Sequence, residues 1–265
     1  LVGDNTVTLS AGQIYGLTIA NDVSNPTTQI DISAGQCRDS TNTVDIVLPT
    51  GITKDITAVW AVGNLQGMRD SATALAASQS YAIFVIYNDE DDIVDVLCSQ
   101  SATNPTLPSG YTYFRRIAFL PRLGSDNIPP SGTNIPTFYQ WGNQFLLYDG
   151  NNEYSGQTGS TAQQLKDMLL PLGDKVDGIF YAQVNLSPAA TVNFRVWDPD
   201  QGLIPVLGGS GQWAQIRLST NETYLVQRFS MSCNTLGQVY VEVSNASATW
   251  ALKTLGWVDY RGLYG

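Results

Sequence analysis

Three stretches of this 265-residue chain carry side chains able to do chemistry. Residues 36–48 read QCRDSTNTVDIVL and hold a thiol (Cys37), a guanidinium (Arg38) and two carboxylates (Asp39 and Asp45) within thirteen positions. Residues 88–92 read NDEDD, four consecutive acids that offer a cage of oxygens to calcium. Trp197 and Asp198 set an indole beside a carboxylate, and Tyr139, Trp141 and Trp213 lie in the same half of the chain. Such a set suits a sugar, whose C–H face packs on an aromatic ring while its hydroxyls bond to polar groups.

Each candidate needs a helper. The chain has no histidine. Ser-His-Asp and Cys-His catalysis and His-dependent zinc sites are thereby excluded. Carboxylate chemistry and oxygen-ligated metals remain. Glycoside cleavage needs two carboxyls about 5–9 Å apart, and no motif selects a pair from the 23 acids. NDEDD lacks the central Gly and distal Glu of a calcium loop and sits between two apolar runs. It reads as a solvated hairpin tip. Asp39–Thr43 (DSTNT) is rich in side chains that bond their own backbone, so the first stretch reads as a turn between strands. Cys37 is expected to be a buried thiol, and Arg38 to bridge to Asp39, Asp45 or a carbonyl. The expectation is no catalytic residue, no metal and no cofactor. Tyr139, Trp141, Trp197, Asp198 and Trp213 are the expected ligand-binding set, against a competing reading of Trp197, Asp198 and Trp213 as a turn with core tryptophans.

Composition narrows the class. Charged residues are 14% of the chain, against roughly 25% in ordinary soluble domains. Neutral polar groups take their place, as in exported, structural and adhesive proteins. The net charge of −10, with four lysines, repels phosphate backbones and anionic lipid. Neither nucleic acid nor membrane insertion is expected, and no apolar run approaches 18 residues. Three cysteines, none at metal-ligand spacing, read as small core residues. The chain opens on Leu1, compatible with processing, truncation or an upstream leader.

The elements that must position these residues are strands. Helical periodicity is nearly absent, and short Val, Ile, Thr and Tyr runs alternate with Gly, Pro, Asn and Asp breaks. Strands are expected at 16–20, 28–32, 44–48, 56–62, 81–87, 93–99 and 113–120. In the second half they fall at 145–148, 176–184, 191–197, 213–218, 223–230, 238–244 and 254–259. Val192, Phe194 and Val196 share one face of their strand, as do Val239, Val241 and Val243 of theirs. Residues 68–79 read as a short helix or a loop, and 161–170 as a helix or a strand. Arg115 and Arg116 point to opposite faces, so at most one is expected to be buried, beside a carboxylate. The expected division is a connecting segment at 1–27, a β-sandwich at 28–123, a linker at 124–136 and a second β-sandwich at 137–265. The Pro-rich run GSDNIPPSGTNIP marks the linker.

The run Ile30–Asn42 (IDISAGQCRDSTN) resembles a segment of tailed-bacteriophage fibre, spike and related virion proteins. The resemblance continues through Ile56–Gly63, Tyr81–Tyr87, Val94–Leu97 and Pro105–Ile117, and more loosely through Tyr139–Phe145 and Gly256–Gly262. It implies an all-β fold, antiparallel and sandwich or jelly-roll-like, in a virion appendage that is usually a homo-oligomer and often a trimer. It carries over no catalytic residue. The expected role is a tail fibre or spike that attaches to a host-surface polysaccharide or other receptor. The alternative is a purely structural decoration, head-fibre, collar or adaptor protein that contacts other virion proteins. A capsular depolymerase is the enzymatic rival.

Overall fold

The computed structural model describes residues 9–121, 134–186, 190–201, 213–219 and 223–261, with backbone alone at 149–152 and 213. Among them the chain is all-β: nineteen strands, one 3-10 turn and no α-helix. Two compact units form. The first gathers residues 9–75, 81–119 and 260–261, the second 76–80, 120–121 and the described residues from 134 to 259. Of the expected linker only 134–136 lies within the described residues.

The first unit has two sheets. β1 (Ile14–Gly16), β4 (Gly35–Arg38) and β5 (Asp45–Leu48) form a three-stranded antiparallel sheet in the order β1-β4-β5. β2 (Ile19–Asn21), β3 (Gln29–Ile32), β6 (Ile52–Val59), β7 (Gln66–Arg69), β8 (Ala82–Asn88), β9 (Ile93–Ser99) and β10 (Tyr113–Phe119) form the other, in the order β10-β8-β9-β7-β6-β3-β2. The stretch expected to be a connector thus supplies β1 and β2. β7 pairs parallel with β6 and with β9, so this sheet is mixed, whereas the other three are antiparallel. Gly67 permits the close approach of β7 to β6: a Cβ there would lie 2.0 Å from the Val59 carbonyl oxygen.

β8 is buried along almost its whole length, which explains its continuous apolar run. Phe84, Ile86, Leu97 and Phe119 pack with Ala102 and Tyr111, with Trp60, Leu107 and Phe114 against them. The same covering corrects the expectation for β10. Arg115 and Arg116 are both buried, at 5% and 6% exposure. Arg115 donates to the Gly12 carbonyl, and the Arg116 guanidinium lies 5.1 Å from the Phe119 ring centre. A strand covered on both faces can bury two successive arginines when carbonyls and aromatic rings receive them.

Residues 68–79 form no helix. Buried Arg69 donates to the carbonyls of Thr57, Ser71 and Thr73, so the following loop wraps around a guanidinium. That use of carbonyls is incompatible with a helical ladder. At the C-terminal end Arg261 donates to the carbonyls of Ile117 and Leu17, and so joins this unit.

The second unit also has two sheets. β11 (Phe138–Trp141), β12 (Gln144–Thr158), β14 (Asp177–Asn185), β17 (Tyr224–Ser232) and β19 (Thr249–Val258) form a five-stranded sheet in the order β11-β12-β19-β14-β17. β13 (Gln164–Asp167), β15 (Val192–Trp197), β16 (Trp213–Leu218) and β18 (Gln238–Val243) form a four-stranded sheet in the order β13-β18-β15-β16. Residues 161–170 therefore contain a strand, whose local helical pattern yields to pairing with β18. Val192, Phe194, Val196, Val239, Val241 and Val243 are all buried, as their alternation requires. Phe194 of the four-stranded sheet packs against Trp250 of the five-stranded sheet, ring centres 5.6 Å apart.

β12 runs far beyond the expected 145–148. It survives a Gly- and Asn-rich middle because its pairing with β19 breaks register three times. Glu153 covers one break: its carboxylate, almost fully buried, accepts the amides of Leu169 and Thr254 at 3.0 and 2.9 Å. Burial raises its pKa, and the Thr254 and Leu169 hydrogen bonds pull against that rise.

Candidate functional site

The five-stranded sheet has an inner and an outer face. Phe180, Ala182 and Val184 of β14 point inward, as do Leu252 and Thr254 of β19. Tyr181, Gln183 and Asn185 point outward by alternation, together with Ala251 and Lys253. Register then places these side chains in rows across the strands. Tyr181 lies between Arg228 on β17 and Lys253 on β19, Gln183 between Val226 and Ala251, and Asn185 between Tyr224 and Thr249. Tyr224 is 54% exposed.

A groove of about 440 Å³ runs over this face, lined by Ser155, Gly156, Tyr181, Gln183, Asn185, Lys253 and neighbouring residues of β19. A hydrogen bond with Tyr224 raises the pKa of Tyr181, so the phenol stays neutral. Among the described residues the Asn185 amide oxygen is buried without a hydrogen-bond partner. A phenol, two amides and an ammonium along an open trough can orient a polyhydroxylated ligand without reacting with it. A second groove, of about 520 Å³, lies in the first unit between Val47–Ile52 and Asp92–Val94, and no aromatic side chain lines it.

The expected binding set divides. Tyr139 and Trp141 stand outward on β11, 41% and 76% exposed, with Tyr139 against Tyr148 at 5.3 Å. Their partners Leu146 and Gln144 alternate with inward Phe145, which stacks on Trp257 at 5.2 Å. Tyr139 and Trp141 therefore share the outer face that carries the groove. Gly256 lets Leu146 lie over β19, because a Cβ there would fall 2.1 Å from the Phe145 carbonyl oxygen and 3.0 Å from Leu146 Cδ2. Trp197 and Asp198 are on the other sheet and buried, at 1% and 3% exposure. Trp197 packs on Tyr240 at 5.4 Å. Asp198 accepts the Asp200 amide at 2.9 Å, which holds the 3-10 turn Pro199–Gln201, and Lys175 reaches both acids. These two residues serve packing and a turn. The Trp213 backbone faces Trp197 across β15–β16, and its side chain lies outside the described set.

Tyr181, Gln183, Asn185, Lys253, Tyr224 and Arg228 were not foreseen. Their signal was present in DGIFYAQVN (177–185), where Tyr, Gln and Asn alternate with Phe, Ala and Val. Alternation marks a solvated face, but only the register of β17 and β19 shows which residues join it.

The two remaining stretches are structural. Asp39 accepts the amides of Thr41, Thr43 and Val44 at 2.9, 2.7 and 2.8 Å. Burial pushes its carboxyl up, yet these bonds and the Thr41 hydroxyl outweigh that and hold it below the usual carboxylate range. Arg38 pairs with Asp45 at 3.0 Å, and Cys37 is fully buried. In the β8–β9 hairpin Asn88 Oδ1 accepts the amides of Glu90 and Asp91, and Asp92 takes a φ of 55°. Among the described residues no group of three or more Cys, Asp or Glu is placed to hold a metal.

No family model matches the chain, and no curated protein does. Among solved structures it is matched with a Bacillus thuringiensis Cry1Da tryptic core variant at 8% identity and a TM-score of 0.22. The match covers 94% of this chain and 53% of that one, so the chain spans about half the length of that structure. A likeness this faint carries no argument about fold or activity.

Proposed function

We propose that this chain is a β-rich bacteriophage virion appendage component, two β-sandwich domains assembled as a homo-oligomer, which attaches to a host-surface glycan without cleaving it. The observation that carries the reading is the outer groove of the five-stranded sheet, where Tyr181, Gln183, Asn185 and Lys253 line one open trough. Aromatic rings receive the C–H faces of sugars, and amides bond their hydroxyls. Such contacts are individually weak. In a trimer three copies gain strength through effective concentration. The resemblance of residues 28–123 to fibre and spike proteins supports the virion assignment.

A second reading has its own observation. Trp141, Tyr139 and Tyr148 are exposed on the β11–β12 hairpin, at the edge of the sheet. An apolar ridge at an edge strand suits another virion protein. A glycan array and a cell-binding assay on the purified chain separate the two. Attachment predicts binding to a surface polysaccharide and to cells, with no release of reducing ends on incubation. Binding to virions but not to cells would favour the structural role, and release of reducing ends the depolymerase.

A further inference from the structure

We infer that the groove takes an acidic polysaccharide, with a carboxylate or phosphate of the glycan held between Arg228 and Lys253 over Tyr181. The inference rests on the attachment reading and names its ligand class. Arg228, Tyr181 and Lys253 occupy one cross-strand row of β17, β14 and β19. Three adjacent strands put the outer two Cα atoms about 10 Å apart, within reach of one anion for two long side chains.

The placement stands out against the charge of the whole chain. A protein of net charge −10 repels a polyanion unless cations are gathered where it lands. The other described cations are engaged elsewhere or lie away from this face. Arg38, Lys54, Lys175 and Arg195 pair with carboxylates. Arg69 and Arg261 donate to carbonyls, and Arg115 and Arg116 are buried. Lys166 lies over the rings of Tyr154 and Trp250, and Arg217 is on the four-stranded sheet. Lys253 and Arg228 form no ion pair among the described residues, and no acid lines the groove. The nearest acid on the same face of β14 is Asp177, four residues from Tyr181. The Tyr181 ring, its hydroxyl hydrogen-bonded to Tyr224, lies between the two cations in the row, and Gln183 and Asn185 in the next rows are placed to bond the hydroxyls of adjoining sugars.

The test is calorimetric titration of the purified chain with four polymers: polygalacturonate, its methyl ester, a poly(glycerol phosphate) teichoic acid and neutral dextran. The expected result is binding to at least one acidic polymer, lost on esterification and weakened by added salt. Lys253→Gln and Arg228→Gln should each weaken it about fivefold, the worth of one partly exposed ion pair, with unchanged thermal unfolding. Preference for polygalacturonate identifies a carboxylate ligand, and preference for teichoic acid a phosphate. Equal binding of dextran, the ester and the acids would overturn the acidic assignment and leave attachment standing. Binding of none of the four would overturn both. Acidic binding untouched by the two substitutions would remove it from this row.

Discussion

Lys54 Nζ lies 3.1 Å from Asp95 Oδ1, with 0% and 1% of the two side chains exposed. The ammonium also donates to the carbonyls of Ala61 and Gly63, and Asp95 accepts the Gly63 amide at 2.8 Å. The pair therefore ties β6 and β9 to the loop after β6. Burial lowers the Lys54 pKa, and the Asp95 charge opposes that shift. Removing one partner leaves a buried charge, so Lys54→Met or Asp95→Asn should each cost about 3–5 kcal/mol in urea unfolding. The double variant Lys54→Met/Asp95→Asn should cost clearly less than the sum of the two single variants. Additive losses would show that the two groups act independently.

The Asp39 turn gives a pH dependence. Its folded pKa is below the ordinary 3.8, so its contribution is complete above that value and is lost as pH falls through the folded pKa. Asp39→Asn should cost about 1–3 kcal/mol at neutral pH, because one acceptor oxygen is replaced by a donor. The gap between wild type and variant should narrow below pH 3.8. A gap that stays constant down to strong acid would contradict the assignment.

All three cysteines are free and buried. Burial pushes the Cys37 thiol up to about 12 and raises Cys98 and Cys233 as well. At pH 8 the folded chain should therefore resist thiol labelling, and all three should react once denaturant is added. Rapid labelling of any of them in the folded protein would show an exposed or activated thiol.

Gly256→Ala should separate β12 from β19. The new Cβ meets backbone, which cannot rotate away, so about 1–3 kcal/mol of stability should be lost by chemical unfolding. Ligand binding on the outer face should fall with it, because Leu146 loses its seat over β19.

Most of the strands were legible because alternation and apolar runs record which faces are covered. Val192, Phe194 and Val196 are an example. What escaped depends on distant pairing. Gly35–Arg38 and Gln66–Arg69 are short strands with a glycine in each, and neighbouring strands hold them in place rather than their own propensity. The Gly- and Asn-rich middle of β12 carries no strand signal, and register breaks against β19, one of them covered by Glu153, let it continue. The expectation for Arg115 and Arg116 failed because both faces of β10 are buried, and a carbonyl and an aromatic ring receive the guanidiniums. For the site, Tyr139 and Trp141 were recognisable as aromatic residues in a polar setting, and the structure puts them outward. Trp197 and Asp198 carry the same chemistry in one dimension, but the turn-and-core reading holds for them, and their sheet turns them inward. Lys253 and Arg228 are 25 positions apart and become a pair only through β14.

The central claim is that the outer face of the five-stranded sheet holds a glycan. Backbone amide shift perturbation by NMR, with a surface polysaccharide fragment that binds, tests it most directly. The account predicts perturbations clustered on Tyr181–Asn185, Ala251–Leu255 and Tyr224–Arg228, abolished by Tyr181→Ala without loss of fold. Perturbations confined to the four-stranded sheet or to the first unit, with Tyr181→Ala binding as wild type, would contradict it.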